Sequence, residues 1–247
     1  MEYAILNKLY VIGIGPGDPR EMTLRAADAL KESEVVAGYG VYIDLVKPML
    51  GEKEYIVTPM RQEVERCRMA LESAASGRTT AMISSGDAGV YGMAGLILEL
   101  AEGTDVQVEV IPGVTAALSG AAVLGAPLGH DFAVISLSDL LTPWELIEKR
   151  LTMAAEGDFC IAIYNPASHR RADYLSRACD ILMRVLPAET ACGVARNIGR
   201  EGESMAVMTL KDLRDYPADM FTTVFVGSSR TRVIDGRLVT PRGYKNV

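Results

Sequence analysis

The chain has 247 residues, 49% of them hydrophobic and 23% charged, with a net charge of −7. That is enough apolar material for one large α/β domain or two lobes, and it excludes a disordered or fibrous class. No run of about 18 apolar residues occurs, so no membrane span is expected. With no Lys/Arg-rich block, there is also no electrostatic footprint for nucleic acid.

Residues 1–8 carry an acid early and no basic-then-apolar pattern, so a cytoplasmic rather than exported protein is expected. Residues 9–14 read as a first buried strand opening into Gly15-Pro16-Gly17-Asp18-Pro19, and Thr23 reads as the N-cap of a helix reaching about residue 32. Strands follow at 35–37, 55–57 and 79–83, with an amphipathic helix over 63–75 between the last two. A fifth strand at 106–111 ends at Pro112-Gly113, and an Ala-rich helix runs over about 114–124. Gly125-Ala126-Pro127-Leu128-Gly129 reads as a lobe boundary, dividing 1–125 from 126–247. Beyond it, strands are predicted at 132–137, 159–164, 190–195 and 223–226, and helices at 143–155 and 173–185. The tail over 231–240 fits a hairpin around Asp235-Gly236. This alternation predicts an α/β protein of two lobes with a ligand cleft between them. Cys67, Cys160, Cys179 and Cys192 show no CxxC or Cys/His spacing, so reduced thiols are expected, with neither a disulfide framework nor a metal site.

Three glycine-rich turns carry the chemistry. Gly13-Ile14-Gly15-Pro16-Gly17-Asp18 has the look of a dinucleotide fingerprint, with Glu34 near the next strand. A pyrophosphate, however, needs bare amides at a helix N-terminus. Pro16 removes one amide, Asp18 puts an anion where phosphate would sit, and Pro19 delays the helix. That leaves either a plain tight strand-to-helix connection or a rigid turn shaping a cleft for a phosphate-free cofactor. Ser84-Ser85-Gly86-Asp87-Ala88-Gly89-Val90-Tyr91-Gly92 follows the fourth strand, and its glycines admit close backbone approach. Asp87 can accept hydrogen bonds there from hydroxyls or amines. Ile111-Pro112-Gly113-Val114-Thr115-Ala116-Ala117 repeats the pattern after the fifth strand. Turns after strands one, four and five can converge on one edge.

Together these turns resemble the tetrapyrrole methylase family over residues 8–240. Gly129-His130-Asp131-Phe132, the stretch from Ser136 to Trp144, Tyr164-Asn165-Pro166 and Thr222-Thr223-Val224-Phe225-Val226-Gly227 resemble its precorrin-3B and cobalt-factor III C17-methyltransferase branch. Ala88 departs from the proline many relatives carry after the Gly-Asp pair. The resemblance implies S-adenosylmethionine as methyl donor, leaving as S-adenosylhomocysteine. By motif position it would be held by Pro16, Ser85, Gly86, Asp87, Val90, Thr115, Ala116, Asn165 and Ala195. It further implies a tetrapyrrole substrate, a homodimer, and ring contraction at C17 in cobalamin biosynthesis.

Ring contraction needs an acceptor for the proton of a ring hydroxyl. His130, Asp139, Asp44 and Glu63 are the candidates, though capping or surface roles compete for His130 and His169. The substrate's carboxylate arms call for local cations on an acidic protein, and Arg61, Arg66, Arg170, Arg171, Arg196 and Arg232 are the candidates. Three other readings stay open. These are a nicotinamide-dependent oxidoreductase using the Gly13 turn, a non-catalytic tetrapyrrole carrier, and a methylase of the same fold acting at another corrin position or on a diphthine precursor.

Overall fold

The structure, a computed structural model, describes residues 7–59, 61–168 and 172–245. It divides into two units, Met1–Ala116 and Ala117–Val247.

In the first unit, the apolar runs become strands of one fully parallel sheet. In chain order the elements are β1 (Lys8–Gly13), α1 (Leu24–Glu32), β2 (Val35–Tyr39), α2 (Gly40–Leu50), β3 (Glu54–Thr58), α3 (Glu63–Ala75), β4 (Thr80–Ser84), α4 (Ala94–Ala101) and β5 (Gln107–Ile111). The strand order is β3-β2-β4-β1-β5. The two-residue period of a strand sorts β1 onto two cores. Tyr10 and Ile12 pack with Ala26, Ala29 and Leu30 of α1 and with Ile43 and Val46 of α2. Leu9 and Val11 face Cys67, Ala70 and Ala74 of α3 and Ile97 of α4. Burial on both faces is why β1 reads as an unbroken apolar run.

The second unit holds α5 (Ala116–Leu124), whose first residue is the last of the first unit, followed by β6 (Gly125–Ala126), β7 (Phe132–Ser136), α6 (Trp144–Glu156), β8 (Cys160–Tyr164), α7 (Tyr174–Leu182), β9 (Ala191–Arg196), β10 (Ser204–Thr209), α8 (Leu210–Leu213), β11 (Thr222–Val226), β12 (Arg232–Ile234) and β13 (Arg237–Val239). Its sheet runs β10-β9-β11-β8-β7 and is mixed, for β7 and β8 are parallel while the other pairs are antiparallel. Ile161, Ile163, Val194 and Val224 from the strands pack with Ile147 and Leu151 of α6 and Leu175 and Leu182 of α7. The predicted tail hairpin is β12 and β13, and Asp235 and Gly236 take φ of 48° and 74° at its tip.

The division between units falls nine residues before the boundary expected at 125. The cause is packing of α5. A Cβ on Gly120 would lie 3.0 Å from Ile198 and the Phe225 ring, and one on Gly193 would lie 2.8 Å from Leu124. The helix therefore belongs to the second core, and the Gly125 segment is strand β6, paired with β13. Among the described residues, no helix is long and apolar enough to cross a membrane.

Candidate cofactor site

β4, β1 and β5 are adjacent and parallel, so the turns that follow them leave the same edge of the sheet. Gly15 N–H donates to Gly86 O at 3.0 Å and Gly86 N–H returns to Gly15 O at 2.7 Å. The third turn closes from the other side. A Cβ on Gly113 would stand 2.1 Å from Gly86 O and 2.5 Å from Gly13 O, so no side chain fits there. Asp87 ties the second and third turns together. Its Oδ1 accepts the Gly89 N–H at 2.8 Å and its Oδ2 the Gly113 N–H at 2.9 Å. The expected convergence of the turns is thus realised, and the Asp87 carboxylate braces their junction. Open α/β sheets take their ligands at this carboxyl edge.

The first turn shows why a nicotinamide nucleotide does not fit. A dinucleotide motif feeds a strand directly into a helix, whereas α1 begins only at Leu24, capped by the Thr23 hydroxyl accepting the Ala26 N–H at 3.2 Å. Between them, Asp18 caps a single 3-10 turn, Pro19–Glu21, by accepting the Arg20 N–H at 2.8 Å. The Arg20 guanidinium pairs with the same carboxylate, and these bonds hold its pKa down to about 2. A fixed anion therefore occupies the approach to this turn. Pro16 and Gly86 are buried, while Ser85, Asp87, Val90, Thr115 and Ala116 are half-buried around the junction.

The remaining candidates lie on separate elements. Asp44 is exposed on α2. Glu63 opens α3, and its Oε1 accepts the Arg61 N–H at 3.2 Å, where a helix N-terminus favours a carboxylate. His130 and Asp139 lie at opposite ends of β7. His130 Nε2 is buried without a hydrogen-bond partner. Asp139 follows the carboxyl end of β7 and accepts the Tyr174 hydroxyl at 2.5 Å. Asn165, in the left-handed region at φ 53°, is exposed and donates through Nδ2 to Ser136 Oγ at 2.9 Å. Ala195 is buried in β9, opposite Met205 and Thr223.

The arginines divide by their partners. Arg66, expected to meet substrate, is 4% exposed, and its Nη1 donates to Thr58 Oγ1 at 2.7 Å, holding the end of β3 to α3. That is a correction, since burial in α3 gives it a supporting role. Arg196 is paired with Asp219 at 2.8 Å. Arg61 and Arg232 are exposed. Arg170, Arg171 and His169 lie outside the described residues.

Two features carried no assigned role in the sequence. Tyr164 OH accepts the Ala117 N–H of the first turn of α5 at 2.7 Å, and its only signal is its place in the Tyr164-Asn165-Pro166 motif. The Tyr174 ring packs against Trp144 with centroids 4.6 Å apart and a tilt of 56°, and Arg177 sits 4.0 Å over the Trp144 ring. No sequence spacing announces that cluster. All four cysteines are free and buried. Burial pushes the Cys67 thiol up to about 11 and the Cys179 thiol to about 12.

Comparison with known proteins gives the same picture. Residues 8–214 match the family Tetrapyrrole (Corrin/Porphyrin) Methylases. A probable cobalt-factor III C(17)-methyltransferase of Salmonella typhimurium is 51% identical, over 96% of this chain and 99% of that one. A precorrin-3B C(17)-methyltransferase of a Sinorhizobium species is 42% identical, over 96% of each chain. Two further relatives are longer, and this chain spans 53% and 45% of their length. The crystal structure of the methyltransferase CobJ superposes with a TM-score of 0.88 at 38% identity, covering 94% of this chain and 99% of that one. The chain belongs to the tetrapyrrole (corrin/porphyrin) methylases.

Proposed function

We propose that this chain transfers a methyl group from S-adenosylmethionine to C17 of precorrin-3B or cobalt-factor III, with ring contraction, in cobalamin biosynthesis. The observation that carries the cofactor half is the knot of three glycine turns braced by Asp87 at the carboxyl edge of the first sheet. S-adenosylmethionine has a ribose and an aminoacyl chain but no phosphate, which suits backbone groups, a carboxylate and a first turn already carrying the Asp18 anion. Each Asp87 oxygen keeps a lone pair beyond its backbone bond, so it can take a ribose hydroxyl as well. The proposed contacts are Pro16, Ser85, Gly86, Asp87, Val90, Thr115 and Ala116, with Asn165 and Ala195 added on the resemblance. The substrate half rests on the relatives' names and on the match from Ser136 to Trp144.

S-adenosylmethionine, when bound, would supply an electrophilic methyl for in-line transfer to the acceptor carbon, with S-adenosylhomocysteine as the leaving group. The chain's part is alignment of those atoms and exclusion of water, with no covalent intermediate on the protein. Of the four proton-acceptor candidates, Asp139 has both exposure and a position at the carboxyl end of its strand, and we favour it. Arg61 and Arg232 are the exposed candidates for the substrate's carboxylate arms. We also place the enzyme in the cytoplasm, in keeping with four free thiols, and as a homodimer on the resemblance.

Incubation with S-adenosylmethionine and either substrate should add one methyl by mass spectrometry. No gain on either, with full turnover of precorrin-2, rejects the C17 assignment in favour of another position. Saturable NAD binding without S-adenosylmethionine binding rejects the methyl-transfer reading altogether.

A further inference from the structure

The connection from β7 to α6 is held at several points and displays something unusual. At the end of β7, Ser136 Oγ accepts Asn165 Nδ2 at 2.9 Å and the Ser138 N–H at 3.1 Å. Leu137 N–H donates to Tyr164 O at 2.9 Å, and the Leu137 side chain is fully buried. Further along, the Tyr174 hydroxyl holds Asp139, and the Tyr174 ring lies against Trp144 at the start of α6. Between these ties stand Leu140 and Leu141, 63% and 98% exposed. Single exposed apolar side chains are ordinary. An adjacent pair on a tied loop, at the carboxyl end of two parallel strands, has the place and character of a ligand contact.

We propose that Leu140 and Leu141 pack against the flat apolar face of the tetrapyrrole, with Tyr174 as the positioning residue that holds their loop. This rests on the methylase reading given above. A tetrapyrrole is anionic around its rim and apolar on its faces. Two leucines offer nothing to a carboxylate arm, whereas they can cover a ring face and take it out of water. The same loop lies within the stretch whose match separates the C17 branch, so it is placed to act on which corrin precursor is accepted.

Trp144 is the single tryptophan, three residues beyond Leu141, and its emission reports tetrapyrrole binding without turnover. Cobalt-factor III is titrated into protein saturated with S-adenosylhomocysteine. The double substitution Leu140→Ser and Leu141→Ser should weaken tetrapyrrole affinity about tenfold or more. KM should rise with kcat nearly kept and with S-adenosylhomocysteine affinity unchanged. Tyr174→Phe, which removes only the hydroxyl that holds Asp139, should weaken tetrapyrrole affinity in the same binding titration by less. Equal tetrapyrrole affinity in wild type and the leucine variant overturns the inference and leaves the function standing. A matching loss of S-adenosylhomocysteine affinity also overturns it, because the leucines would then be supporting the fold. Wild-type protein that binds no tetrapyrrole overturns both.

Discussion

Asp87 ties two turns together, and the same side chain is the one proposed to meet the cofactor. Its two oxygens accept backbone N–H groups from two turns, that of Gly113, 26 residues further along the chain, and that of Gly89 in its own turn. Replacement by Ala leaves both donors without that partner, a cost of about 1–3 kcal/mol. The Asp87→Ala protein should therefore lose that much stability in urea denaturation, and its S-adenosylmethionine affinity should fall at least about tenfold by calorimetry. Lost stability with unchanged affinity would confine Asp87 to the wall. Asp18 carries a pH signature of its own. Its carboxylate is depressed to about 2, first by the Arg20 guanidinium and then by the Arg20 N–H. A depressed acid favours the folded state above its unfolded pKa of about 3.9, and that contribution fades as pH falls through about 2. A carbon-detected titration should show Asp18 protonating near 2, and Arg20→Ala should bring it back toward the ordinary carboxylate range. An Asp18 midpoint that Arg20→Ala leaves in place would show that the pair does not set it.

At the scale of elements, legibility followed how local each determinant is. The helix α3 has the bounds that its periodicity predicts, 63–75, and the tail hairpin follows from Asp235-Gly236. The segments 40–50, 94–101 and 204–209 carried no assignment, yet they form α2, α4 and β10. Gly40 and Pro48 read as punctuation in α2, α4 is a short apolar run that suits strand as well as helix, and β10 is an edge strand with a weak pattern. Strand order is less local still, because it depends on which crossovers pass over β1 and β4. The glycine turns were visible as motifs, but their mutual contact was not. Gly113→Ala tests that contact directly. With Gly86 O only 2.1 Å from the new Cβ, backbone rather than a flexible side chain has to move. A loss of about 3 kcal/mol in Tm-derived stability is expected, together with weakened S-adenosylmethionine binding. A variant as stable as wild type would show that the third turn is not pressed against the second.

At the scale of the whole molecule, each unit packs its own apolar interior, and each interior holds buried cysteine. Cys67 lies in the first unit, in the cluster that packs α3 and α4 on β1 and β4. Cys179 and Cys192 lie in the second, and Cys160 is buried in the same unit. With the Cys67 thiol pushed up to about 11, only about a thousandth of it is thiolate at pH 8, and access is closed as well. Native protein should therefore show almost no reaction with a disulfide reagent, while denatured protein releases all four thiols. The rate at which each cysteine reacts under native conditions then reports the opening of its own unit. Saturating S-adenosylmethionine at about 100 times Kd should slow Cys67 labelling about a hundredfold, because its proposed contacts are concentrated in the first unit. Cys179 and Cys192 should slow too, if Asn165 and Ala195 share in holding the cofactor as proposed. Protection confined to Cys67 would assign the cofactor to the three turns alone and remove the second unit's residues from the contact set.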